Sequence, residues 1–256
     1  QWLGGLGILL IATAVLARLS VGGAKLMETE SQTQDVTRLT SHFADTAKIL
    51  FGLYAGITAL VAGTLAVLGL TGVDPAMTLF DAVAHALTSV STAGFSPQPD
   101  SAGAFGPAVQ WVLIGAMALG ATNFVLILAV LRGDLRRLRR SEEFWFYVAI
   151  LGGLSALLAG ILVIDAEFVA VTDTVRHAVF QIVSLVTTTG YATVDFELWS
   201  APAKQLLFLC MFVGGMAGST TCSIKTFRWL VVAKGFNRDV LVASTPETVR
   251  PVRLSG

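Results

Sequence analysis

Long apolar runs alternate with short polar ones along the chain. Gln1 to about Ala17 is apolar and rich in glycine (Gly4, Gly5, Gly7). It is most of a membrane span, since about 20 helical residues cross a bilayer. Residues 18–48 are polar and charged and form a loop outside the lipid, with room for a surface helix. Ile49–Leu70 is a second span, followed by the breaker Asp74-Pro75. Val109–Leu131, Phe144–Ile164 and a segment from Lys204 to Ala233 are three more. Two apolar segments do not fit this series. Leu79–Val90 and Val175–Val186 are each twelve residues long, too short to cross, and read as re-entrant helices. Each leads into a polar loop with a glycine: Ser91–Ser96 and Thr187–Thr193. The last span is interrupted by ten mostly small residues, Gly214 to Ser223. So much Gly, Ser and Thr does not make a stable lipid-facing helix.

Composition supports a polytopic membrane protein. Of 256 residues, 54% are hydrophobic and 13% charged, against about 25% charged in soluble domains; mean hydropathy is +0.74. Net charge is zero, so the total says nothing about nucleic acid, and the distribution of charge carries the information. Lys and Arg number four, five and five in residues 18–48, 132–140 and 228–253, and the loops between hold only Arg176 and Lys204. Basic loops face the cytoplasm, so both short helices enter from outside. Cys210 and Cys222 read as small buried residues rather than a disulfide. No His/Cys/Asp/Glu cluster has metal-ligand spacing. Gln1 lies inside an apolar run, so an internal fragment of a longer protein is expected.

The two short helices are copies. With Gly94 placed on Gly190, an offset of 96 residues, Thr88 meets Ser184, Val90 meets Val186, Thr92 meets Thr188 and Phe95 meets Tyr191. The unit is span, short helix, Thr/Gly loop, span. Irregular backbone at membrane depth is tolerated where it lines a cavity or is buried in protein. Carbonyl and threonine oxygens there can replace the water around a bare cation. A short helix also aims its negative end at such an ion. Lys225 follows the small-residue run; at that depth it costs about 2.5–3.5 kcal/mol, so it faces a polar cavity or snorkels inward. Asn123 in the third span suits a helix–helix hydrogen bond or, less readily, a pore lining. His85 and His177 do not superimpose and suit hydrogen-bonded packing. Asp195 and Glu197 lie just outside the second loop and would either attract cations or be solvated. A membrane-embedded enzyme remains as an alternative, with Ser91 or Ser219 as nucleophile and His85 or His177 as base.

Taken together, several motifs resemble the TrkH-type membrane subunit of the Trk/Ktr/HKT potassium transporter superfamily. They are Gln1-Trp2-Leu3-Gly4-Gly5-Leu6-Gly7-Ile8; Ser91 to Ser96; Thr187 to Thr193 with Asp195, Phe196 and Trp199; Gly214 to Thr220 with Ile224-Lys225; and Val249 to Leu254. The resemblance implies an all-α polytopic protein of four pore units, of which this chain carries an incomplete set. Residues 1–48 hold the inner span of unit one and a cytoplasmic loop. Residues 49–140 are unit two, with pore helix 79–90 and filter 91–96. Residues 141–240 are unit three, with pore helix 175–186, filter 187–193 and gate loop 214–223. Residues 241–256 link to unit four. The implied potassium-binding positions are Thr92, Ala93, Gly94, Thr188, Thr189 and Gly190. The implied gate is Gly214, Gly215, Gly218, Ser219, Thr220 and Lys225. Thr221-Cys222-Ser223 departs from the glycines common there, which puts the loop's flexibility in question. The resemblance also implies potassium uptake across the bacterial plasma (inner) membrane without a cofactor, a homodimer, and a cytoplasmic nucleotide-binding ring of TrkA/KtrA type. Sodium coupling or permeation stays open.

Overall fold

The computed structural model describes residues 2–7 and 43–244, and the statements below concern those residues. The elements are α1 (Phe43–Leu70), α2 (Leu79–Val90), a 3-10 turn (Ser101–Ala104), α3 (Pro107–Gly120), α4 (Phe124–Leu131), α5 (Leu135–Arg140), α6 (Glu142–Ile164), α7 (Val171–Val186), a second 3-10 turn (Phe196–Leu198), α8 (Ala201–Cys210) and α9 (Thr226–Ser244). Apart from one isolated bridge, Val213 to Ile224, no strand pairing occurs among the described residues. Of the first expected span, residues 2–7 are described, with Leu3–Gly7 as a π-helical turn kinked at Gly5. The rest of that span, most of the loop to residue 42 and the tail beyond residue 244 lie outside the described residues.

Helices α1 and α6 are long and apolar enough to cross a membrane. Only 22% of the most apolar stretch of each is buried within the protein. Leu60, Val67 and Leu70 on α1 and Leu157, Val163 and Ile164 on α6 are exposed. In water such faces are unfavourable at about 25 cal/mol per Å²; in lipid they are at home. Two interlocking cores hold the rest. One packs Tyr54 and Leu65 of α1 with Val90, Leu113 and Met117, and takes in Phe180, Val183 and Tyr191 from the second copy. The other packs Tyr147, Leu158 and Leu162 of α6 with Ile182, Leu207 and Met216, and takes in Ala121 and Leu126 from the first. Trp2 stacks on Tyr54 with ring centroids 4.7 Å apart, and its indole N–H donates to Thr58 Oγ1 at 3.0 Å.

The third span is not straight. It breaks between α3 and α4 with a bend of 104°. Among the described residues Asn123 makes no helix–helix bond; its Oδ1 caps α4 by accepting from the Val125 and Leu126 amides at 2.8 and 3.3 Å. Apolar periodicity cannot show such a break, because both halves stay apolar. The helix expected over 175–186 starts earlier, at Val171, where Thr172, Asp173 and Thr174 suit a first turn. Helix α2 begins at its N-cap Thr78, whose Oγ1 accepts from the Asp81 amide at 3.1 Å and donates to Asp81 Oδ2 at 2.6 Å. Cys210 is buried as expected, but Cys222 is exposed.

Candidate ion-conduction site

Helices α2 and α7 end in the same way. Ser91 and Thr187 close them at φ/ψ of −80/−1° and −79/0°. The next residues, Thr92 and Thr188, take left-handed φ values of 51° and 56°, and Gly94 and Gly190 take 68° and 88°. A β-branched residue at positive φ is a rare conformation that costs about 1–2 kcal/mol. Its presence at equivalent places in both copies marks a held geometry. In one loop the Ala93 and Gly94 amides donate to the Thr88 carbonyl at 2.8 and 3.2 Å; in the other the Thr189 and Gly190 amides donate to the Ser184 carbonyl at 2.9 and 3.2 Å. Thr88 Oγ1 donates to the Phe95 carbonyl at 2.9 Å, and Ser184 Oγ to the Tyr191 carbonyl at 2.6 Å. The amides are thus bound back to their helices. Among the described residues, no group donates to the carbonyl oxygens of Thr92, Ala93, Gly94, Thr188, Thr189 or Gly190.

The two loops lie against each other. A Cβ on Gly94 would collide with the Thr189 carbonyl oxygen, so only glycine fits there. The Tyr191 hydroxyl bridges the copies to Thr88 Oγ1 and, at 3.4 Å, to the His85 carbonyl. Beyond the loops, Gly103 donates its amide to the Ala192 carbonyl at 3.1 Å. Arg176 Nε on α7 donates to Gln110 Oε1 on α3 at 2.9 Å. Asp195 Oδ1 caps the second 3-10 turn by accepting from the Glu197 amide at 3.0 Å; both residues are exposed.

Below the loops, residues 211–225 leave the helical path between α8 and α9. The ends of this loop are tied together by the Gly214 amide donating to the Ile224 carbonyl at 2.8 Å. Its middle fills the α3–α4 break. The Met216 amide donates to the Ala121 carbonyl at 2.9 Å, the Thr220 amide to the Gly120 carbonyl at 3.2 Å, and the Phe124 amide to the Gly218 carbonyl at 3.2 Å. Two interrupted helices thus satisfy each other's freed backbone groups, which membrane depth demands. Gly215 permits this approach, since a Cβ would sit 2.6 Å from the Ala121 carbonyl oxygen. Gly218 and Ser223 have φ of 74° and 63°, so Ser223 adopts the conformation glycine favours. Lys225 does not snorkel. Its Nζ donates into the loop, to the Thr221 carbonyl, to Thr221 Oγ1 at 3.0 Å and to Ser219 Oγ at 3.5 Å. Glu143 at the start of α6 braces the loop: its Oε1 accepts from the Ala217 amide at 2.7 Å and from Thr226 Oγ1 at 3.3 Å. Sequence reasoning missed Glu143 and the α3–α4 break. The run Gly120-Ala121-Thr122-Asn123 within an apolar span was the signal for the break.

The histidines pack. His85 Nε2 lies 3.0 Å from Ser96 Oγ and His177 Nδ1 lies 2.7 Å from Thr193 Oγ1, each fastening the chain after a loop. Ser96–His85 is a serine–histidine pair within reach, but among the described residues it has no orienting carboxylate. His85 Nδ1 contacts the Asp81 backbone carbonyl at 2.8 Å, while the Asp81 carboxylate accepts from Gln98 Nε2 and Thr78 Oγ1. The proposed nucleophiles Ser91 and Ser219 bond the Leu87 and Met216 carbonyls instead, at 2.7 and 2.6 Å.

A family model described as "TrkH: Cation transport protein" matches residues 1–256. The chain is 33% identical over 260 residues to the Trk system potassium uptake protein TrkH of Halomonas elongata, covering 99% of this chain and 52% of that protein. It is 31% identical to the protein of the same name from Escherichia coli K12, again covering 99% and 52%. A crystal structure of the potassium transporter TrkH from Vibrio parahaemolyticus superimposes with a TM-score of 0.82 at 28% identity, over 100% of this chain and 51% of that one. The chain spans about half the length of these relatives. Its helical architecture, its apolar spans and these matches agree: the chain belongs to the TrkH family of cation transport proteins, which are transporters and not enzymes.

Proposed function

We propose that this chain forms part of a potassium-conducting path across the bacterial plasma membrane. Thr92–Gly94 and Thr188–Gly190 supply two sides of a selectivity filter, and residues 214–223 with Lys225 form the gate beneath it. The observation that carries this is the pair of matching loops. Their backbones repeat at an offset of 96 residues, their amides turn back to α2 and α7, and six carbonyl oxygens have no protein donor among the described residues. A potassium ion needs such oxygens in place of its hydration shell. The names of the relatives, potassium uptake proteins, support the same ion. A complete ring takes two more loops, from a longer protein than this chain. A homodimer and a cytoplasmic nucleotide-binding ring belong to this proposal, supported by the resemblance alone.

The test is flux in proteoliposomes holding the full-length protein. Rubidium or potassium uptake should exceed sodium uptake, and Gly190→Asp should abolish that preference. Unchanged uptake and selectivity in Gly190→Asp would remove the filter assignment. Equal sodium and potassium uptake in the unmodified protein would favour a sodium-permeable member of the superfamily.

A further inference from the structure

We infer that the two filter threonines also latch the gate, so that potassium at the filter floor and closure of the 211–225 loop oppose each other. This rests on the filter reading above and adds a regulatory coupling to it. Thr92 and Thr188 are equivalent residues in the two copies, and both hydroxyls engage the loop below. Thr92 Oγ1 lies 3.1 Å from Thr220 Oγ1. Thr188 Oγ1 lies 3.0 Å from the Cys222 amide nitrogen. Thr220 Oγ1 also donates between the Gly120 carbonyl at 3.0 Å and the Val90 carbonyl at 3.3 Å, the latter in the last turn of α2. The loop is therefore bonded to the underside of both Thr/Gly loops at once.

The sign of the coupling follows from the donor at Thr188. A backbone N–H can only donate, so the Thr188 hydroxyl oxygen accepts from Cys222. A cation coordinated by that oxygen meets the positive end of the N–H dipole on the same atom. The Lys225 ammonium lies in the same loop, held on the neighbouring Thr221 carbonyl. A closed loop thus presents the positive end of the Cys222 N–H to the filter floor, and an ion there weakens the latch. By linkage, releasing the latch strengthens ion binding by the same factor. A hydrogen bond of ordinary net strength corresponds to about a two- to tenfold shift in each equilibrium.

Cys222 supplies the reporter, because it is exposed in the described fold while Cys210 is buried. Full-length protein in detergent is labelled with a maleimide in potassium or in choline at equal ionic strength. Potassium binding is measured on the same preparation. Potassium should speed labelling at Cys222 about two- to tenfold. Thr220→Val should speed labelling in choline, shrink the potassium response and tighten potassium binding, and Thr220→Ser should restore all three. A gate merely loosened by Thr220→Val would be labelled faster in both salts with the full potassium response retained, and that result overturns the latch. So does a wild-type rate that ignores potassium while potassium binds. Absence of potassium binding would overturn the filter reading itself, and the latch with it.

Discussion

Gly94→Ala separates backbone strain from loop contact, with Gly72→Ala as its control. Gly72 and Gly94 both have positive φ, 75° and 68°. An alanine at either carries the left-handed penalty of about 1–2 kcal/mol. A Cβ at Gly72 meets nothing within 4 Å, whereas at Gly94 it runs into the Thr189 carbonyl oxygen and comes within 3.4 Å of the Gly190 carbonyl carbon. The obstacle is backbone, not a flexible side-chain end, so the loops must part. Overpacking of this kind costs about 1–3 kcal/mol. The expected totals are about 1–2 kcal/mol for Gly72→Ala and about 2–5 kcal/mol for Gly94→Ala. Both variants of the full-length protein would be compared by thermal midpoint in detergent and by rubidium uptake in proteoliposomes. Gly94→Ala should melt clearly lower and lose uptake, because the carbonyl it displaces belongs to the proposed filter. Equal midpoints and equal uptake in the two variants would refute the contact between the loops.

Three other outcomes follow from named bonds. Asn123→Ala removes the cap of α4 at a 104° break and should cost about 1 kcal/mol, with Asn123→Asp largely restoring the thermal midpoint. Tyr191→Phe removes the hydroxyl joining the two copies at Thr88 and the His85 carbonyl; it should cost about 0.5–1.5 kcal/mol, and an unchanged midpoint would deny the bridge any weight. Glu143→Ala leaves the Ala217 amide and Thr226 hydroxyl without their shared acceptor. It should speed hydrogen exchange across residues 211–225 while exchange in α1 stays as it was; no change in the loop would make Glu143 incidental.

Much of this fold is legible in sequence because membranes impose simple lengths. The limits of α2 could be read to the residue, since its apolar run is flanked by a capping threonine and a polar loop. The repeat could be read because helix-ending geometry is written locally: a threonine and a glycine two residues apart recur at an offset of 96. What the pattern hid is tertiary. The α3–α4 break holds because the 211–225 loop supplies the missing backbone partners, and no local signal in residues 107–131 names a partner a hundred residues away. Asn123 therefore looked like a bond between helices when it is a cap. Cys222 looked buried because its neighbours are apolar, but it stands exposed in the described fold beside a buried Thr221, at the end of a loop whose Gly214–Ala217 stretch is buried. Glu143 read as part of a charged cytoplasmic run, and only the folded chain puts it under the Ala217 amide.

Anomalous scattering from thallium, a potassium surrogate, in crystals of the full-length protein tests the central claim most directly. A peak within coordination distance of the Thr92–Gly94 and Thr188–Gly190 carbonyl oxygens is the predicted result. A bound thallium ion elsewhere on the path, with none between these two loops, would contradict it.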